Sequence, residues 1–83
     1  MARRPDQVGR RITSVSRALS IIELFDSDTT ELGITEISKR LNLHKSTVSG
    51  LVNTLQASGY LDQNPSTRKY YLGMKTTNDF ASL

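Results

Sequence analysis

Lys45, Ser46, Thr47, Ser49 and Asn53 fall within one short stretch and supply an ammonium, three hydroxyls and a carboxamide. Groups of this kind can hydrogen-bond to phosphate oxygens and base edges and can carry charge to a polyanion, but they assemble no covalent chemistry. Two further clusters are basic: Thr67-Arg68-Lys69 near the C-terminal end, and Arg3, Arg4, Arg10 and Arg11 near the start. Catalysis lacks its usual parts, since His44 is the single histidine, there is no cysteine, and no Gly-rich phosphate loop or carboxylate pair on an apolar face occurs. One histidine with scattered acids does not make a metal ligand set, so neither a metal nor another cofactor is expected. His44 reads more economically as a helix N-terminal or phosphate-facing residue than as a base.

These groups need a rigid element to hold them. Val48, Leu51, Val52 and Leu55 recur at i, i+3, i+4 and i+7, one apolar stripe of a helix over 44–58. The opposite side carries Ser46, Gly50, Asn53 and Ala57, flanked by Thr47, Ser49 and Thr54, and it is small, polar and free of acid. A shorter helix precedes it, with Ile37 and Leu41 inward and Thr35 as N-cap on the side of the polyanion. Asn42 and Leu43 form the turn, and burial of Leu43 would pin the two helices at the roughly 90–120° of a helix-turn-helix.

Upstream, residues 14–26 place Val15, Ala18, Leu19, Ile22 and Phe25 on one face, with Ile21 widening it, Ser14 as cap and Leu24 pointing away. Residues 26–33 read as a polar loop without periodicity. Glu23, Asp26, Asp28, Glu31 and Glu36 lie in or beside it, and this acidic end is expected on the side away from nucleic acid. Downstream, Ser58-Gly59 stops the helix over 44–58. Tyr60 to Gln63 and Tyr70 to Leu72 then flank the turn Asn64-Pro65-Ser66-Thr67 as a β-hairpin, whose tip would present Thr67, Arg68 and Lys69. The fold class is therefore mainly α with a small β-hairpin: a winged helix-turn-helix of three helices plus a wing.

At 83 residues the chain is one small domain, of a size that buries about 60% of its unfolded surface and gains from a partner. A net charge of +3 and a pI near 9.6 favour a polyanionic one. No apolar run approaches the ~20 residues of a membrane span, so a soluble, cytoplasmic protein is expected. Three regions follow: a flexible basic arm over 1–13, the winged helix-turn-helix over 14–73, and a tail or the start of a linker helix over 74–83.

The stretches VSRALSIIELF, ITEISKRLNLHKSTVSGLVNTLQASGYL and YYLG together resemble the N-terminal DNA-binding domain of the IclR family of bacterial transcription regulators. The likeness covers roughly residues 14 to 73, with Arg17-Ala18-Leu19 in the first helix, Leu41 to Val48 opening the reading helix, and Tyr70 to Gly73 closing the wing. It implies a dimeric, sequence-specific regulator with Lys45, Ser46, Thr47 and Ser49 near double-stranded DNA. The expected contacts are helix 44–58 in the major groove of a pseudo-palindromic operator, with Thr35, His44, Gly50 and Asn53 alongside, and the wing and Arg10 and Arg11 on phosphates or the minor groove. The competing reading is a protein–protein module using Leu24, Tyr71 and the polar face of the third helix.

Two departures from the family pattern stand out. The family continues into a longer effector-binding domain, so the small-molecule effector site is not expected within these residues. Where an arginine commonly follows the KSTV[HS] run, this chain has Gly50. Either the reader has lost a contact by divergence, the favoured account, or bare backbone lets the helix sit closer to the groove.

Overall fold

Ile21 has no exposed surface, and the first helix is laid down around it. The computed structural model describes residues 12–75 of the chain. In order they form α1 (Thr13–Glu23), α2 (Ile34–Leu41), α3 (Lys45–Ala57), β1 (Leu61–Gln63) and β2 (Tyr70–Leu72). The two strands pair antiparallel in the register Leu61↔Leu72, Asp62↔Tyr71 and Gln63↔Tyr70. Three helices and a hairpin share one core of Ile21, Phe25, Leu32, Ile37, Val48, Val52, Leu61 and Tyr70. The expected winged helix-turn-helix is the architecture found.

α1 is turned differently from its expected face. Val15 and Leu19 are 55% and 57% exposed, while Ile21 and Phe25 are buried, with Ile22 and Leu24 packed beside them. At 100° per residue, Ile21 with Leu24, Phe25 and Ala18 forms a face roughly a quarter-turn away from one centred on Ile22. Leu24 therefore does not point outward. Apolar residues occupy more than half of this wheel, so periodicity alone cannot choose which part α2 and α3 will cover.

Neither expected side-chain cap forms. α1 begins at Thr13 behind Ile12, so Ser14 lies inside the helix. Gly33 is the N-cap of α2 and Thr35 the second helical residue, so Thr35 does not cap. Glu36 takes over: its Oε1 accepts the Gly33 N–H at 2.8 Å, the half of a capping box that a glycine N-cap permits.

The stretch between α1 and α2 is more than a loop. Leu32, just before α2, is 1% exposed and bridges to Tyr70, donating N–H to the Tyr70 carbonyl at 2.9 Å and accepting the reciprocal bond at 2.8 Å. A buried leucine carries its backbone inside with it, and that backbone must find partners. The exposed edge of β2 supplies them, tying the wing to the helices.

The turn between α2 and α3 is as expected. Asn42 takes the left-handed conformation at φ 56° and closes α2 onto Ser38, after which Leu43 packs half-buried on the core. Gly59, at φ +88°, ends α3 and turns the chain into β1. Its carbonyl lies where a Cβ on Gly73 would come within 2.4 Å, so any larger residue at 73 would have to push the wing away from the end of α3.

Candidate nucleic-acid interface

Val48 and Val52, both with no exposed surface, lock α3 about its axis. That orientation turns Ser46, Gly50, Asn53, Thr54 and Ala57 to the outside, as the helical wheel requires. Lys45 and His44 are exposed at its start. Thr47 and Ser49 sit on the flanks and are half-buried, so the most open surface is narrower than the full expected set and runs along Ser46, Gly50 and Asn53. The Thr54 hydroxyl is turned back onto its own helix, donating to the Gly50 carbonyl at 3.0 Å.

The N-termini of α2 and α3 differ in chemistry. Helix starts concentrate unpaired N–H groups and positive dipole potential, which favour anions. In α2 that position is already served by Glu36. The first turn of α3 holds no acidic residue and begins with Lys45, Ser46 and Thr47. An external anion is therefore better accommodated at α3 than at α2. Thr35 is exposed in the first turn of α2.

The wing is built on Asn64. Its N–H donates to the Lys69 carbonyl at 2.8 Å, its own carbonyl accepts the Arg68 N–H at 2.7 Å, and its Oδ1 accepts the N–H groups of Ser66 at 2.9 Å and Thr67 at 3.4 Å. Arg68 is held left-handed at φ 66°, with its carbonyl bound by the Gln63 side chain at 3.0 Å, and its side chain is exposed.

The acidic segment does not lie away from this surface. Glu31 accepts hydrogen bonds from Asn64 Nδ2 at 3.0 Å and from Thr67 Oγ1 at 3.1 Å, and Glu36 Oε1 stands 3.5 Å from Lys69 Nζ. The Leu32–Tyr70 bridge explains why: it draws the chain on either side of Leu32 against the hairpin. Asp28, Glu31, Glu36 and Arg40 line an open groove with Thr67 and Lys69. The Gly33 N–H holds the Glu36 carboxyl below the ordinary carboxylate range; desolvation opposes this, and the Lys69 charge reinforces it.

Of the three expected wing-tip groups, Thr67 and Lys69 thus already have carboxylate partners. Asn64 and Glu31, which shape the wing, were not among the expected site residues. The Asn-Pro turn marks Asn64, whereas nothing local marks Glu31, whose partners lie more than thirty positions downstream. Arg10 and Arg11 lie outside the described residues.

The family profile of the IclR helix-turn-helix domain matches residues 14–65. Over 64 residues the chain is 58% identical to the HTH-type transcriptional regulator XynR of Escherichia coli (strain K12), an alignment covering 77% of this chain and 25% of that protein. It is 35% identical over 66 residues to the glycerol operon regulatory protein of Streptomyces griseus, covering 80% of this chain and 26% of that one. Among solved structures, an IclR family transcriptional regulator from Brucella abortus aligns with a TM-score of 0.82 at 30% identity, covering 89% of this chain and 28% of the other. The chain spans about a quarter of the length of the relatives it matches.

Proposed function

Because this chain belongs to the IclR helix-turn-helix family, we propose that its winged domain binds double-stranded DNA and is the operator-reading part of a transcription regulator. The observation that carries this reading is the acid-free outward face of α3, with Lys45 at its start. Major-groove readers present a helix of this kind, fixed from behind by core residues. α3 enters the major groove, where Ser46 and Asn53 face base edges and Lys45 and His44 face phosphates. Arg68 leads the wing contact. Lys69 can join it by exchanging the Glu36 carboxylate for a phosphate, because both side chains are close to half exposed.

Two copies read a pseudo-palindromic operator, with their α3 helices in successive major grooves about 34 Å apart. Arg10 and Arg11 add phosphate or minor-groove contacts. The protein–protein alternative loses one of its anchors, since Leu24 is packed on the core.

Selection of bound sequences from a random duplex pool tests the reading. Recovered duplexes are expected to share a half-site repeated with dyad symmetry at about one helical turn. Failure to enrich any sequence over the starting pool would refute operator reading.

A further inference from the structure

Gly50 is a glycine that the fold does not need. A Cβ built there meets no heavy atom within 4 Å, and the residue lies in the middle of α3 on its exposed face. Mid-helix glycine is disfavoured relative to alanine, because it costs backbone entropy without packing anything. What it leaves is a gap in the outward surface. Ser46 borders the gap one turn before and Asn53 one turn after, both within about 60° of Gly50 on the wheel. The Thr54 hydroxyl, bound to the Gly50 carbonyl, is drawn back against the helix.

The exposed residues of α3 are Lys45, Ser46, Gly50, Asn53, Thr54 and Ala57, and Asn53 is the one carboxamide among them. A serine hydroxyl can donate or accept and fits several bases, and a lysine ammonium is a point charge. A carboxamide presents a donor and an acceptor side by side, the arrangement that matches adenine N7 and N6–H₂ in the major groove. Asparagine is also short, so it reaches that edge only if the helix backbone comes close.

We propose that Asn53 reads an adenine in the major groove through a bidentate carboxamide contact, and that Gly50 acts with it by letting α3 sit deep enough for the contact to form. The proposal rests on the DNA-binding reading above and deepens it, assigning an A·T pair to the half-site and Asn53 as its reader. In this geometry a side chain at position 50 is a spacer. An arginine there would hold the backbone off the groove and make its own contact at the expense of Asn53.

The test uses the full chain and the duplex recovered by selection, with each half-site adenine replaced in turn by 7-deazaadenine, which removes N7 and preserves Watson–Crick pairing. One adenine is expected at which the replacement weakens wild-type binding. Asn53→Ala should weaken binding to the unmodified duplex by roughly 5- to 150-fold and be insensitive to the replacement at that adenine. Gly50→Ala should bind more weakly and Gly50→Arg more weakly still, both losing sensitivity at the same adenine. Melting temperatures no lower than wild type in both would show that the loss is not unfolding.

Independent, additive effects of Asn53→Ala and the replacement at every adenine would overturn the proposal. So would tighter binding by Gly50→Arg. If wild type retains no duplex at all, DNA binding itself fails; if it binds and selects a site without this coupling, only the Asn53–Gly50 assignment fails.

Discussion

Two glycines in this fold are held for opposite reasons, and substitution separates them. Gly73 lies against the backbone of Gly59, where an added Cβ would meet a carbonyl oxygen at 2.4 Å, whereas around Gly50 there is open space. Gly73→Ala is therefore expected to lower unfolding stability by about 1–3 kcal/mol, the usual cost of overpacking. Gly50→Ala should raise it by roughly 0.8–1 kcal/mol through helix propensity. Urea titration of both variants checks the pair, and similar shifts in one direction would be inconsistent with this packing. Only half of this contrast was legible in the sequence: Gly50 could be placed mid-helix by periodicity, but the approach of residue 73 to residue 59 depends on how the wing folds back.

Glu36 supplies a residue-scale pH dependence. Its carboxyl is held low chiefly by the Gly33 N–H, with the Lys69 charge adding to the effect. A depressed folded-state pKa contributes stability above the unfolded value of about 4.3, and that contribution is lost as pH falls through the folded value. Glu36→Gln should lower stability near neutrality and flatten the decline on acidification. Melting temperature followed from about pH 6 down to about pH 2.5 measures this. An unchanged acid limb would show that the cap and ion pair contribute nothing.

At the scale of elements, the legible parts were those whose apolar residues form a narrow stripe. α3 shows Val48, Leu51, Val52 and Leu55 on one side and small polar residues on the other, and its orientation follows. α1 is apolar around most of its circumference, so its buried face is decided by what packs on it. The wing was legible as a hairpin from its aromatic flanks and Asn-Pro turn. Its attachment was not, because the Leu32–Tyr70 bridge and the Glu31 hydrogen bonds join residues far apart in sequence.

That attachment leaves the two basic residues of the wing in different settings. Arg68 is exposed and borne on a left-handed backbone, whereas Lys69 is shared with Glu36. Arg68→Ala should weaken binding to all duplexes alike and make the salt slope shallower by about one unit, the signature of a phosphate contact. Lys69→Ala should have a smaller effect, since a carboxylate pairing is lost as well as a phosphate. Filter-binding isotherms at several salt concentrations compare the two, and a larger loss from Lys69→Ala would reverse the assignment.

At the scale of the whole molecule, the described basic groups of the proposed interface are Lys45 at the start of α3 and Arg68 and Lys69 on the wing, and the sequence adds four arginines in its first eleven residues. Composition alone made a polyanionic partner plausible, and the order of helices, turn and hairpin made it specific. A sequence-specific reader of this class binds first through phosphates and then discriminates through base edges. The most direct measurement is the affinity of the chain for the selected duplex as salt is raised. If about five phosphates are neutralised, log K against log[salt] should fall with a slope near −4 to −5. A flat response would contradict DNA binding by this domain.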